Sequence, residues 1–143
     1  STPSRAVVQS AGGGFRMKAA VLKEEFLHLP VLHLLLRFTQ ALITQMSQTA
    51  VCNRHHTLDQ QLCRWLLLRL DRLQGEELVM TQELISNMLG VRRAAITTAA
   101  GALQASGLIA YSRGLVTVLD RQGLEDAACS CYAADRLTYA RLL

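Results

Sequence analysis

A chain of 143 residues is the size of one ordinary domain, or of two small ones joined by a helix. Half of its residues are hydrophobic and few are aromatic, a composition that excludes a disordered or fibrous chain and fits a soluble, mostly helical one. The formal charge of +4 is too small to name a polyanionic partner, so the placement of charge has to carry that argument.

The first stretch, SRAVVQSAGGGFRMKAAVLKEEF, begins with a strand-like scrap, breaks at Gly12 to Gly14 and continues as a short helix through Phe26. A strand of about four residues with nothing to pair against is unstable alone, which predicts that the chain begins inside a larger domain whose preceding part lies outside it. The AGGGF run lacks the Lys and the Ser or Thr that complete a phosphate-binding P-loop, so it reads as a turn. The apolar run FLHLPVLHLLLRF is interrupted by His28, Pro30, His33 and Arg37 and falls short of the ~20 apolar residues of a membrane span. With no signal peptide opening the chain, the expectation is a cytoplasmic protein with no membrane contact.

After Pro30, apolar Leu32, Leu36, Ile43, Met46 and Ala50, with Thr39 interrupting, recur close to the three-and-four spacing of a coiled-coil seam, and Leu35, Phe38 and Leu42 widen it. This predicts one long helix. Gln40, Thr44, Gln45, Ser47 and Gln48 occupy its other side without strong charge. Self-association through the apolar seam is favoured over packing of that seam onto the helix's own domain, although the periodicity alone is compatible with both.

NRHHTLDQQLCRWLLLRLDRLQGEE begins a second helix, with Thr57 as its cap, Asp59 and Gln60 in its first turn, and Leu58, Leu62, Trp65, Leu66 and Leu73 on its core face. Gly75 is the expected end, and Arg64, Arg69 and Arg72 read as a solvated face. His55 and His56 read as an exposed connection. Cys52, Cys63, Cys129 and Cys131 lack paired CxxC spacing and are taken as reduced thiols. Cys129 and Cys131 alone amount to half of a zinc site, with only His28, His33, His55 and His56, all distant in sequence, to complete it, so no metal site is expected.

In LVMTQELISNMLGVRRAAITTAAGALQASGLIAYSRGLVTVLD, Thr81 caps a short helix that Gly90 ends in a tight turn, and a further helix follows at once. Ile85, Leu89, Val91, Ile96 and Ala99 bury one face between the two, and Ser86 is small where they approach. This is a helix-turn-helix. At ~100° per residue, Arg92, Arg93, Thr97 and Thr98 are left on the outward side of the second helix. Two adjacent cations at a helix N-terminus oppose its partial positive charge, so local stability does not explain the pair, whereas an anionic partner does.

A recognition helix presents its N-terminal residues to base edges in the major groove, where Arg is the commonest bidentate reader of guanine. Between Leu84 and Leu119 stand three arginines and no Asp or Glu. Beyond Gly107, LIAY, a turn at Ser112 to Gly114, and LVTVL form a small β-hairpin, the wing of a winged helix. Arg113 at its tip is either a phosphate contact or a solvated turn residue. The candidates for base contact are therefore Arg92, Arg93, Thr97 and Thr98, and for backbone contact Thr81, Gln82, Tyr111 and Arg113. The fold class expected is mainly α with a small β-hairpin, a long dimerisation helix leading into a winged helix-turn-helix domain.

The block from about Thr57 to Tyr132, with RWLL, MTQE, MLGVRR, GLI and CSCY, resembles the DNA-binding domain of bacterial Crp/Fnr-type transcription regulators. The resemblance implies a β-roll sensor domain, then a dimerisation helix, then the winged helix. Residues 1–27 would be the remnant of the sensor, 28–55 the dimerisation helix and 56–143 the DNA-binding domain. It also implies a homodimer on a pseudo-palindromic site of double-stranded DNA, and RNA polymerase as a further partner. Arg93 matches the family's guanine-reading arginine and Arg92 the preceding, phosphate-contacting position. Where well-known members continue with Glu and then a second Arg, this chain has Ala94 and Thr98, so their operator does not carry over. The sensor's cyclic-nucleotide segment and the iron–sulfur cysteines of oxygen-sensing relatives fall outside this chain, and the four cysteines here do not replace the latter. No cofactor is expected in this chain, and the effector is not inherited.

Two other readings stand beside this one: a winged-helix protein-interaction module, and a thiol-based redox-responsive regulator acting through Cys129 and Cys131. No set of nucleophile, base and orienting group points to an enzyme.

Overall fold

The computed structural model describes residues 8, 12–73, 75 and 77–143. The strand-like scrap ahead of Gly12 lies outside these residues, apart from Val8. The chain divides into two compact units, Ser1–Leu35 and Leu36–Leu143. In the first, the expected short helix is α1 (Ala19–Glu25), which buries none of its residues. The long helix α2 (Leu29–His55) starts in this unit, with Pro30 in its first turn, where a missing N–H forfeits no intrahelical bond.

The second unit continues α2 and adds α3 (Leu58–Leu70), β1 (Glu77–Val79), α4 (Gln82–Leu89), α5 (Arg93–Ala105), β2 (Ile109–Ser112), β3 (Leu115–Val118), α6 (Arg121–Ala127) and α7 (Cys131–Leu142). The fold is mainly helical with one small antiparallel sheet, ordered β1-β3-β2. The hairpin β2–β3 lies where the sequence places it. Strand β1 is an addition: its three residues are too short to show a period of two, and only pairing Leu78 with Val116 makes them a strand.

Helix α3 is the centre of the unit. Thr57 and Gln60 cap it reciprocally, the Thr57 hydroxyl accepting from the Gln60 N–H and the Gln60 side chain from the Thr57 N–H. Nine of its residues are buried, so it is covered nearly all round rather than along one stripe. Leu62, Leu66 and Leu67 pack with Leu78, Ile85, Ile96, Val116 and Leu124 in a single core. The helix ends at Leu70, not at Gly75. Arg72 and Leu73 donate to the carbonyls of Arg69 and Leu70, which tightens the exit into 3₁₀-type turns before the glycine is reached.

Of the three arginines expected on a solvated face, Arg72, just beyond the helix, is exposed, Arg69 is half-buried and Arg64 is not solvated at all. Arg64 is buried, and its Nε and Nη2 both donate to Oδ2 of the equally buried Asp135 of α7, at 3.0 and 2.7 Å. Arg69 lies over the Trp65 ring, and Arg72 lies over Tyr139 while donating to the Leu68 carbonyl. A guanidinium spread over an aromatic face keeps part of its surface wet while its stem covers apolar atoms, an option that periodicity does not reveal.

From Leu36 onward, α2 turns its polar side to its own domain. Thr49 accepts from Arg64, and Gln45 accepts from Arg72 and from the Tyr139 hydroxyl. Ala41 and Cys52 are buried on this side, whereas Leu36, Ile43 and Met46 are exposed, Met46 at 64%.

Candidate nucleic-acid interface

The helix-turn-helix is built as the residues dictate. The Thr81 hydroxyl caps α4 by accepting from the Leu84 N–H at 3.2 Å. Gly90 closes that helix in the left-handed region at φ 68°, where a side chain would be strained, and the Val91 N–H returns to the Ser86 carbonyl. Ser86 is buried between the helices with its hydroxyl satisfied by the Glu83 carbonyl. Helix α5 is rich in alanine, the best helix former, and buries Ile96, Ala99, Ala100 and Leu103.

Opposite that buried face, Arg92, Arg93, Ala94, Thr97 and Thr98 are all exposed. Arg92 is the N-cap of α5 in an extended conformation, and no side chain caps the helix. The first amides of α5 therefore lack a side-chain cap beside two guanidinium groups, a doubly electropositive end. Thr97 bridges to the neighbouring helix by donating to Oε1 of Gln82 at 2.8 Å, and Thr98 donates to its own helix at the Ala94 carbonyl.

The wing closes a groove around this end. Thr81, Gln82, Arg93, Tyr111, Arg113 and Gly114 line an open cavity of ≈ 360 Å³. The Tyr111 hydroxyl donates to the Met80 carbonyl at 3.0 Å, fixing the hairpin against the N-terminus of α4. Burial raises the Tyr111 phenol above its ordinary pKa, and the Arg93 guanidinium pulls against that shift. Arg113 and Gly114 form the two-residue hairpin turn with φ of 51° and 81°. Arg113 is the only non-glycine with positive φ among the described residues, and it stands at the wing tip.

Five of the eight candidates for DNA contact thus share one groove, and the charged residues that line it are Arg93 and Arg113. Arg92, Thr97 and Thr98 sit beside it on the exposed face of α5. Of the seam candidates, Leu36, Thr39, Ile43, Met46 and Ala50 are exposed on α2, and Leu32 and Leu35 are half-buried.

Comparison with known proteins agrees with this architecture. A family model described as a Crp-like helix-turn-helix domain matches residues 60–127. No curated protein matches the chain significantly. Among solved structures, a protein of Eubacterium rectale assigned to the crp/fnr family of transcriptional regulators matches at a TM-score of 0.59 with 27% sequence identity. The match covers 76% of this chain and 51% of that one, so the chain spans about half the length of its structural relative. Residues 60–127 are thus similar to a Crp-like helix-turn-helix domain, and the fold is similar to that of a crp/fnr-family transcriptional regulator.

Proposed function

We propose that the chain binds a pseudo-palindromic operator as a homodimer, laying α5 of each copy in successive major grooves about 34 Å apart. The observation that carries this reading is the groove that gathers Arg93, Arg113, Tyr111, Gln82 and Thr81 beside an uncapped helix N-terminus. An elongated polyanion is the partner that such a surface fits, because phosphates meet the arginines and free amides while base edges meet the outward face of the helix.

In this reading Arg93 reads guanine, Arg92 contacts phosphate or a neighbouring base, and Thr98 offers its methyl group to thymine. The hydrogen bond from Thr97 to Gln82 fixes the pose of α5 on α4. Thr81, Gln82, Tyr111 and Arg113 position the backbone. The exposed seam of Leu36, Thr39, Ile43, Met46 and Ala50 on α2, continued at Leu32 and Leu35, joins two copies. Its support is that α2 docks on its own domain through Gln45 and Thr49 instead.

Residues 1–27 then belong to a sensor domain, 28–55 to the dimerisation helix and 56–143 to the DNA-binding domain. The protein works in the cytoplasm and meets RNA polymerase there. No described helix is long and apolar enough by itself to cross a membrane.

The test is selection of bound duplexes from a randomised DNA pool at rising salt, followed by affinity measurements with Arg93→Ala. An enriched inverted repeat and a loss of about 1 to 3 kcal/mol on it, with little change on random duplex, are expected. Equal losses on both duplexes refute base reading by Arg93. A folded dimer that enriches nothing favours the protein-docking alternative.

A further inference from the structure

Away from the DNA-reading groove, four groups with the chemistry of soft-metal ligands converge. Cys52 and His56 are four residues apart at the C-terminal end of α2, the spacing that puts two side chains on one face of a helix, and the His56 N–H still donates to the Cys52 carbonyl. Cys129 and Cys131 lie at the junction of α6 and α7, on either side of Ser130.

The fold brings these two pairs together across 77 residues of sequence, with Cys52 Sγ and Cys129 Sγ 3.5 Å apart. On the other side, Cys131 Sγ lies 3.5 Å from Nδ1 of His56. All four donor atoms fall within 4.8 Å of one another, and the three cysteines are buried. By sequence spacing alone His56 counts as distant from Cys131, and the turn of the chain after α2 removes that distance.

We propose that Cys52, His56, Cys129 and Cys131 form a closed, four-ligand site for a zinc ion that joins the end of α2 to the α6–α7 junction. Ligand bonds of about 2.3 Å to sulfur and 2.0 Å to nitrogen set tetrahedral neighbours about 3.8 Å apart from sulfur to sulfur and about 3.5 Å from sulfur to nitrogen. The two 3.5 Å separations are already close to those edges. Three sulfurs and one imidazole select zinc over the oxygen-seeking magnesium and calcium ions. Four donors all within 4.8 Å of one another fit one ion better than an iron–sulfur cluster, whose ligands are divided among separate irons.

Four protein donors leave no open coordination position, so the site is structural rather than catalytic. The proposal stands independently of DNA binding.

The test uses the whole chain, purified under reducing conditions and loaded with zinc or, as a spectroscopic substitute, cobalt(II). One zinc per chain by native mass spectrometry and an intense cobalt spectrum of tetrahedral thiolate type are expected. Cys129→Ser with Cys131→Ser abolishes both, and His56→Ala lowers zinc affinity by about 100-fold or more. Cys63→Ala, which changes the cysteine outside the cluster, keeps the stoichiometry.

Folding of each variant is checked by circular dichroism, and the wild-type stoichiometry and spectrum decide the matter should a variant fail to fold. A reduced, folded wild-type chain that takes up no zinc overturns the proposal. So does a cobalt spectrum of octahedral oxygen ligation, or zinc uptake unchanged in the folded double variant.

Discussion

Arg64 and Asp135 are buried against each other, two guanidinium nitrogens on one carboxylate oxygen, and tie α3 to α7. Removing either partner leaves the other charged and unpaired in the interior. Asp135→Ala or Arg64→Ala alone is expected to cost about 3 to 5 kcal/mol of unfolding free energy. Arg64→Met combined with Asp135→Leu recovers most of that loss, since a buried pair is often replaceable by apolar volume. Urea titrations of the single and double variants check the non-additivity.

Arg92 caps α5 without a side-chain hydrogen bond and with its charge at the wrong end of the helix dipole. Arg92→Asp supplies both a cap and a favourable charge, and a gain of about 0.5 to 1 kcal/mol in stability is expected. DNA affinity falls in the same variant. Parallel melting and DNA titration therefore move in opposite directions, and a loss of stability contradicts the account of this helix end.

Arg113 holds a left-handed turn position that asparagine and glycine adopt more easily. Arg113→Asn keeps the hairpin at equal or slightly higher stability while weakening binding to specific and random duplex alike. The slope of log affinity against log salt is expected to shrink by about one, the signature of one lost phosphate contact.

Ile43 and Met46 are exposed on α2. Ile43→Glu is expected to halve the molecular mass in sedimentation without changing the helical signal, because the residue lies away from the side that meets Arg64 and Arg72. An unchanged mass in a folded variant places the dimer contact elsewhere.

The helix-turn-helix, the caps of α3 at Thr57 and of α4 at Thr81, the turn at Gly90 and the wing were legible in the sequence because each rests on a local rule. A hydroxyl three residues before an amide, a glycine at positive φ and an alternating run act over a few residues. What was not legible depends on long-range partners. Arg64 looked solvent-facing because nothing nearby announces Asp135, and β1 was too short to show a pattern without β3. His56 looked unrelated to Cys131 for the same reason, although the separation of four residues between Cys52 and His56 was a signal available from the start. The groove residues were named individually, but only the packing of Tyr111 on the Met80 carbonyl brings the wing to the helix N-terminus.

Gln45 and Met46 are consecutive residues of α2, one gripping Arg72 and Tyr139 and the other facing outward. A helix turns as a rigid screw, so no rotation about its axis can move one of them without the other. Whatever seats itself on the outer side of α2 thereby acts on the same shaft that carries α3 and, through Arg64, α7. Through that shaft the outer side of α2 is tied, by way of α3 and the core that α3 shares with Ile96, to the helix whose exposed face carries Arg93.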